Sequence, residues 1–83
     1  MADERSKVTA RRVRFNTSEY VFSTGHAPRG RGSWAFEFEP GKPEWARIEK
    51  GGVLTASLTY GEAKRWAIRE AVARGIDHVK VCS

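Results

Sequence analysis

One stretch of this chain, TYGEAKRWAIREAVARG from Thr59 to Gly75, repeats its apolar residues at helical spacing, while the residues before it alternate like strands or read as turns. A lone amphipathic helix can bury only one side of what it packs on, so the remainder must supply a sheet. Thr59-Tyr60-Gly61-Glu62 matches a capping box, in which a Thr hydroxyl and a Glu carboxylate satisfy opposite orphan amides. The helix is predicted to end near Arg74, with Gly75 as its left-handed cap. At about 100° per residue, Ala63, Ala67 and Ala71 form a narrow stripe with Tyr60, flanked by Ile68 and Val72. Such small residues let a helix lie close to a surface of large ones.

That surface is predicted from Ser33 to Glu39, SWAFEFE, the cleanest alternation in the chain: Trp34, Phe36 and Phe38 inward, Ala35, Glu37 and Glu39 outward. Pro40 to Pro43 reads as a turn and Trp45 to Lys50 as a strand. Gly51-Gly52 suits a two-residue hairpin, with Val53 to Leu58 returning. Upstream, Val8 to Phe15 reads as a half-exposed strand with arginines outward, and Tyr20 to Ser23 as its hairpin mate across Asn16 to Glu19. Ile76 to Cys82 closes as a strand with Val79 and Val81 inward. Residues 1–7 are polar, have nothing to pack against, and are expected to fray. The expectation is one α+β domain over residues 8–83: an antiparallel sheet of four to six strands with one late α-helix on one face.

Eighty-three residues allow a single small core, which nine aromatics can fill. Cys82 is the only cysteine, which excludes an internal disulfide and fits a reducing, cytoplasmic setting. The opening MADERSKVTA lacks the apolar run of a secretory leader, and no stretch has the length or hydropathy of a membrane span.

The formal net charge is +5, and ten of the fifteen basic residues are arginine, whose forked guanidinium suits phosphate and carboxylate. In HAPRGRGSW, Gly25, Gly30 and Gly32 surround Arg29 and Arg31, so backbone and charge could both approach an anion. Arg11, Arg12 and Arg14 on the first strand are expected to extend this into one basic patch, a nucleic-acid footprint. Trp66 falls on the wheel with Glu62, Arg65, Arg69 and Ala73, away from the alanine stripe. It reads either as an exposed stacking or interface anchor or as an extension of the core over the sheet edge.

Nothing in the sequence assembles a catalytic set. His26 has no acid at relay spacing, and neither His26 nor His78 has a second metal-type neighbour. The dinucleotide and phosphate-loop motifs are missing, and Glu37 and Glu39 read as a solvated strand face. The chain is expected to bind rather than catalyse, without metal or cofactor. Two partners remain open: nucleic acid, with His26 beside the basic loop, or an acidic protein or nucleoprotein complex. A dimer through an edge at Val8 to Phe15 or Val79 to Cys82 is a further possibility.

The segment RGRGSWAFEFEPGKPEWARIEKGGVLTASLTYGEAKRWAIREAVARG resembles three-stranded-sheet-plus-helix DNA-binding modules, the AP2/ERF domains and the arm-binding domains of phage integrases. The resemblance rests on Arg29, Arg31, Trp34, Trp45 and Arg47. It implies a sheet whose outer face enters the major groove. Glu37 and Glu39, on that face, depart from the pattern. In size and economy the chain is also similar to small phage and plasmid proteins such as anti-CRISPR inhibitors, which implies a protein-binding role at a nucleic-acid channel.

Overall fold

From Ser33 onward the strands and the helix keep the order that the sequence periods set but not all their bounds, since Lys42 and Pro43, expected in a turn, open a strand that ends at Trp45; before Ser33, one element changes class. The computed structural model describes residues 8–82, so the expectation for residues 1–7 lies outside them. A 3₁₀ turn at Ala10–Arg12 leads to β1 (Arg14–Asn16), α1 (Ser18–Thr24), β2 (Arg31–Gly32), β3 (Ala35–Glu39) and β4 (Lys42–Trp45). Then come β5 (Ile48–Lys50), β6 (Val53–Thr55), β7 (Leu58–Thr59), α2 (Tyr60–Arg74) and β8 (His78–Val81). The main sheet runs β1-β8-β3-β4, with β3 antiparallel to both neighbours and β1 parallel to β8. β2 pairs with β7 and β5 with β6, each antiparallel. The fold is α+β, as the single helical period requires.

The N-terminal hairpin does not form. Val8 to Phe15 is extended only at its end, and Tyr20 to Ser23 lies within α1. Valine and phenylalanine there favour a strand, yet the flanks specify a helix. Asn16 Oδ1 accepts the Ser18 amide at 3.0 Å, Glu19 places a carboxylate in the first turn, and Gly25 closes the last one. Two other strands are shorter than their periods predict. Trp45 to Lys50 breaks at Ala46, which turns inward and donates its amide to the Trp34 carbonyl at 2.8 Å. Val53 to Leu58 breaks where Thr55 Oγ1 accepts the Ser57 amide at 3.1 Å. The β5–β6 hairpin therefore leaves the main sheet, its turn formed by Gly51 and Gly52 at φ 58° and 81°.

The core gathers Trp34, Phe36, Phe38, Ala46 and Leu58 against Ala63, Ala67 and Ala71 of α2, with Val79 and Val81 of β8. Phe36 is 0% exposed, and burying a phenylalanine stabilises by about 1.5–3 kcal/mol. The capping box is present: Thr59 Oγ1 accepts the Glu62 amide at 3.1 Å and Glu62 Oε1 accepts the Thr59 amide at 3.0 Å. Trp66 takes the second of its two readings. Its ring lies half-buried, 6.2 Å from Phe36 and 5.9 Å from Phe38, because it leans across the sheet rather than away from it.

Ala35 faces away from Phe36 and Phe38, as expected, but is buried on that side. The face opposite α2 is not bare: α1 lies on it, tied by Glu19 to Lys80 of β8 at 2.6 Å. β8 is interior, so it offers no edge for dimer pairing; β1 and β4 are the edges. Pro43 on β4 removes a ladder donor there. Among the described residues no helix is long and apolar enough to cross a membrane.

Candidate functional site

Alternation along β3 sends Phe36 and Phe38 toward α2 and Ala35 to the other face, where Trp45 is its register partner on β4. A single small residue among large ones leaves a hollow. Its volume is about 220 Å³, with Ala35 and Cys82 at the base, Tyr20 of α1 and Trp45 of β4 as aromatic sides, and Arg29, Arg31, Gly32 and Ser33 along the rim. Trp45 is 56% exposed. Trp34 contributes its ring from beneath, 5.5 Å from Tyr20, and its indole N–H is already donated to the Leu58 carbonyl at 3.0 Å. Arg29, Arg31 and Trp45 thus meet at one place.

Local backbone explains the rim. The Gly30 carbonyl accepts the Tyr60 amide at 3.0 Å, and Gly30 sits at φ 86°, a conformation that costs a side chain dearly. Pairing of Arg31 with Thr59 then fixes where the loop meets the α2 N-terminus. Arg31 Nη1 donates to the Ser57 carbonyl at 3.2 Å and lies 4.0 Å from Glu62 Oε1. Glu62 also accepts Lys50 Nζ at 2.7 Å, and that hydrogen bond, with the Thr59 amide second, draws its carboxyl down to about 2. Arg31 is therefore oriented and partly neutralised. No carboxylate of the described residues lies within 4 Å of Arg29. Burial, then Glu37 and Glu19, push the Cys82 thiol up, so at the base of the hollow it is a neutral group.

The other predicted residues lie elsewhere. Arg14 stands opposite His78, and Cys82 is four residues further along, so about 13 Å at strand rise separates Arg14 from the hollow. Arg11 and Arg12, on the 3₁₀ turn before Arg14, belong to that end too, where Arg12 acts on Asp77. The single basic patch expected from these arginines is not formed, because β1 runs parallel to β8 and the chain crosses the sheet through α1 before reaching Arg29. Arg65 and Arg69 project from the exposed side of α2, Arg65 turning back over Gly61. His26 packs 5.8 Å from Tyr20, with Nδ1 donating to the Ala27 carbonyl at 2.9 Å. Arg47 and Trp66 share a second groove of about 350 Å³ with Glu44, Leu54, Glu70 and Arg74.

Sequence reasoning missed four lining residues: Tyr20, Ser33, Ala35 and Cys82. Only Ala35 left a signal, as the one small residue facing outward between two aromatic positions on a strand. Among the described residues, no three His, Cys, Asp or Glu side chains gather as metal ligands would. The sheet order also differs from the one implied by the AP2/ERF and integrase resemblance. Its third strand would be Val53 to Leu58, whereas here β8 takes that place and β6 pairs only with β5. On the outer face, Glu37 approaches Lys80 at 3.8 Å and Glu39 approaches Lys42 at 3.6 Å. Comparison with protein-family models, curated proteins and solved structures finds no match to the chain.

Proposed function

We propose that this chain is a small basic binding module, not an enzyme, that holds nucleic-acid phosphates at the Arg/Gly loop. The observation that supports the reading is the convergence of Arg29, Arg31 and Trp45 on one hollow, with Arg29 clear of the carboxylates of the described residues and Trp45 exposed. Arginine supplies forked donors to a phosphate, and an exposed indole supplies a stacking face. Binding without catalysis accords with how the reactive groups nearby are spent. The His26 Nδ1 proton goes to a backbone carbonyl, and the Cys82 thiol is held protonated. Arg11, Arg12 and Arg14 serve in this reading as a separate contact further along an extended ligand.

Binding through phosphates releases counterions, so affinity must fall with salt. For two phosphates on a single strand, raising salt from about 50 to 200 mM should weaken binding roughly sevenfold. A fluorescence-anisotropy titration at those two concentrations decides it, and a flat response removes the reading.

A second reading has its own observation. Phe22 on α1 is 91% exposed, beside the exposed Val21. An aromatic so displayed suits a protein contact, in which Arg29 and Arg31 would meet acidic groups of a partner, as in an inhibitor of a nucleoprotein complex. Trp66, packed on Phe36 and Phe38, is replaced by Phe22 as the anchor in this version. Phe22→Ser should abolish retention of a partner from nuclease-treated lysate and leave oligonucleotide binding unchanged.

A further inference from the structure

We infer that the hollow takes one unpaired base of a single-stranded nucleic acid, stacked on Trp45, with the adjoining phosphate at Arg29. This rests on the reading above and narrows its ligand class. The hollow is concave and holds about 220 Å³, below the roughly 300–1,000 Å³ of sites for drug-sized ligands. That is room for one ring system. A duplex offers a protein its phosphates and the edges of its bases, while the base faces stay stacked on each other. An exposed indole beside a hollow offers a face for stacking, and an unpaired base has one to give.

The surroundings point the same way. Trp45 lies on the sheet face away from α2, so its ring is not needed by the core that the other two tryptophans help to fill. Gly32, with open space where a side chain would stand, and Ser33 also line the hollow, where base edges would lie. The same sheet face is unsuited to lie in a major groove. Lys80 is shared between Glu19 at 2.6 Å and Glu37 at 3.8 Å, leaving no net positive charge at that point. The arginines at the Arg14 end lie about 13 Å along β8 from the rim at strand rise, a gap that a flexible strand can cross.

The test uses the full chain with a fluorescein-labelled 12-nucleotide oligo(dT), the matching duplex, and the Trp45→Ala and Trp45→Phe variants at one low salt concentration. The single strand should bind at least tenfold tighter than the duplex. Trp45→Ala should weaken single-strand binding about tenfold and leave thermal unfolding unchanged, as stacking on an exposed aromatic predicts. Trp45→Phe, which keeps a flat ring, should retain most of the affinity. Equal or tighter binding of the duplex, or an Ala variant as good as the parent, overturns this inference while the arginine reading stands. Failure to bind either polymer overturns both.

Discussion

Two hollows in this protein each set two arginines beside a tryptophan and differ in what the arginines touch. In the groove beside α2, Arg74 donates to both oxygens of Glu44 at 2.6 and 2.8 Å, donates to Glu70 at 3.0 Å, and lies 4.5 Å over the Phe38 ring. Its hydrogen bonds hold the Glu44 carboxyl below the ordinary carboxylate range and raise its own proton affinity. Trp66 is half-buried there. In the hollow across the sheet, Arg29 has no such partner among the described residues, Arg31 has one at 4.0 Å, and Trp45 stands open. The first arrangement closes a helix onto a sheet. The second leaves Arg29 without a carboxylate among the described residues, and it is these donors that the proposed reading gives to a phosphate. Arginine content alone would have ranked the two alike, at two each, and the carboxylates Glu44 and Glu70 separate them.

The largest expected effect is on binding. An Arg29→Ala, Arg31→Ala double variant should lose about a hundredfold in affinity for the oligonucleotide, taking two charge-assisted contacts at about 1.5 kcal/mol each. Its unfolding midpoint should stay near that of the parent, because an exposed ion pair such as Arg31 to Glu62, at 4.0 Å, contributes little to stability. Arg74→Ala should do the reverse. Losing the forked pair and the ring contact at a half-exposed site costs about 1–2 kcal/mol, or roughly 5–10 °C in a domain of this size, with binding unchanged. If Arg74→Ala weakens binding as much as the double variant, the distinction between the hollows is wrong.

Glu62 connects the two behaviours, since it caps α2 and also faces Arg31 and Lys50. Its carboxyl titrates near 2 when folded, against an ordinary 4.5. Because the folded value is the lower one, its contribution is fully present above about pH 4.5 and is lost as pH falls toward 2. Glu62→Gln keeps a side chain able to cap, so thermal unfolding followed from pH 6 to pH 2 should show a shallower acid decline than in the parent. The same variant frees Arg31 and should tighten oligonucleotide binding two- to threefold, by roughly 0.5 kcal/mol. Unchanged affinity would mean that Glu62 does not restrain the rim.

The elements legible in advance were those whose signals are local and agree with one another. Thr59 with Glu62, the alanines at every fourth position and Gly75 define α2 without outside help, and SWAFEFE needs only its own alternation. Tyr20 to Ser23 was misread because strand propensity and helix boundaries disagree there, and the boundaries prevail in a sheet whose interior place is filled by β8. No local rule could announce that placement, since β8 comes from the far end of the chain. The hollow was half legible for the same reason. Arg29, Arg31 and Trp45 stood out by type, but Tyr20 and Cys82 reach it only through α1 and β8. The separation of Arg14 from the loop is likewise a fact of strand order.

That separation yields the smallest effect. Arg14 is exposed on the edge strand β1, about 13 Å along β8 from the hollow at strand rise, with no carboxylate of the described residues within 4 Å. A dinucleotide seated on Trp45 would not reach it, whereas a 12-nucleotide strand would pass it and place one further phosphate within range. Arg14→Ala should therefore leave the shortest oligonucleotides unaffected and weaken the 12-mer two- to threefold, with the salt slope falling by about 0.7, the value for one phosphate on a single strand. A loss independent of length would put Arg14 in the hollow's own electrostatic field. Length dependence assigns it to the ligand's path, and the two arginine groups then act as successive contacts along one strand rather than as a single surface.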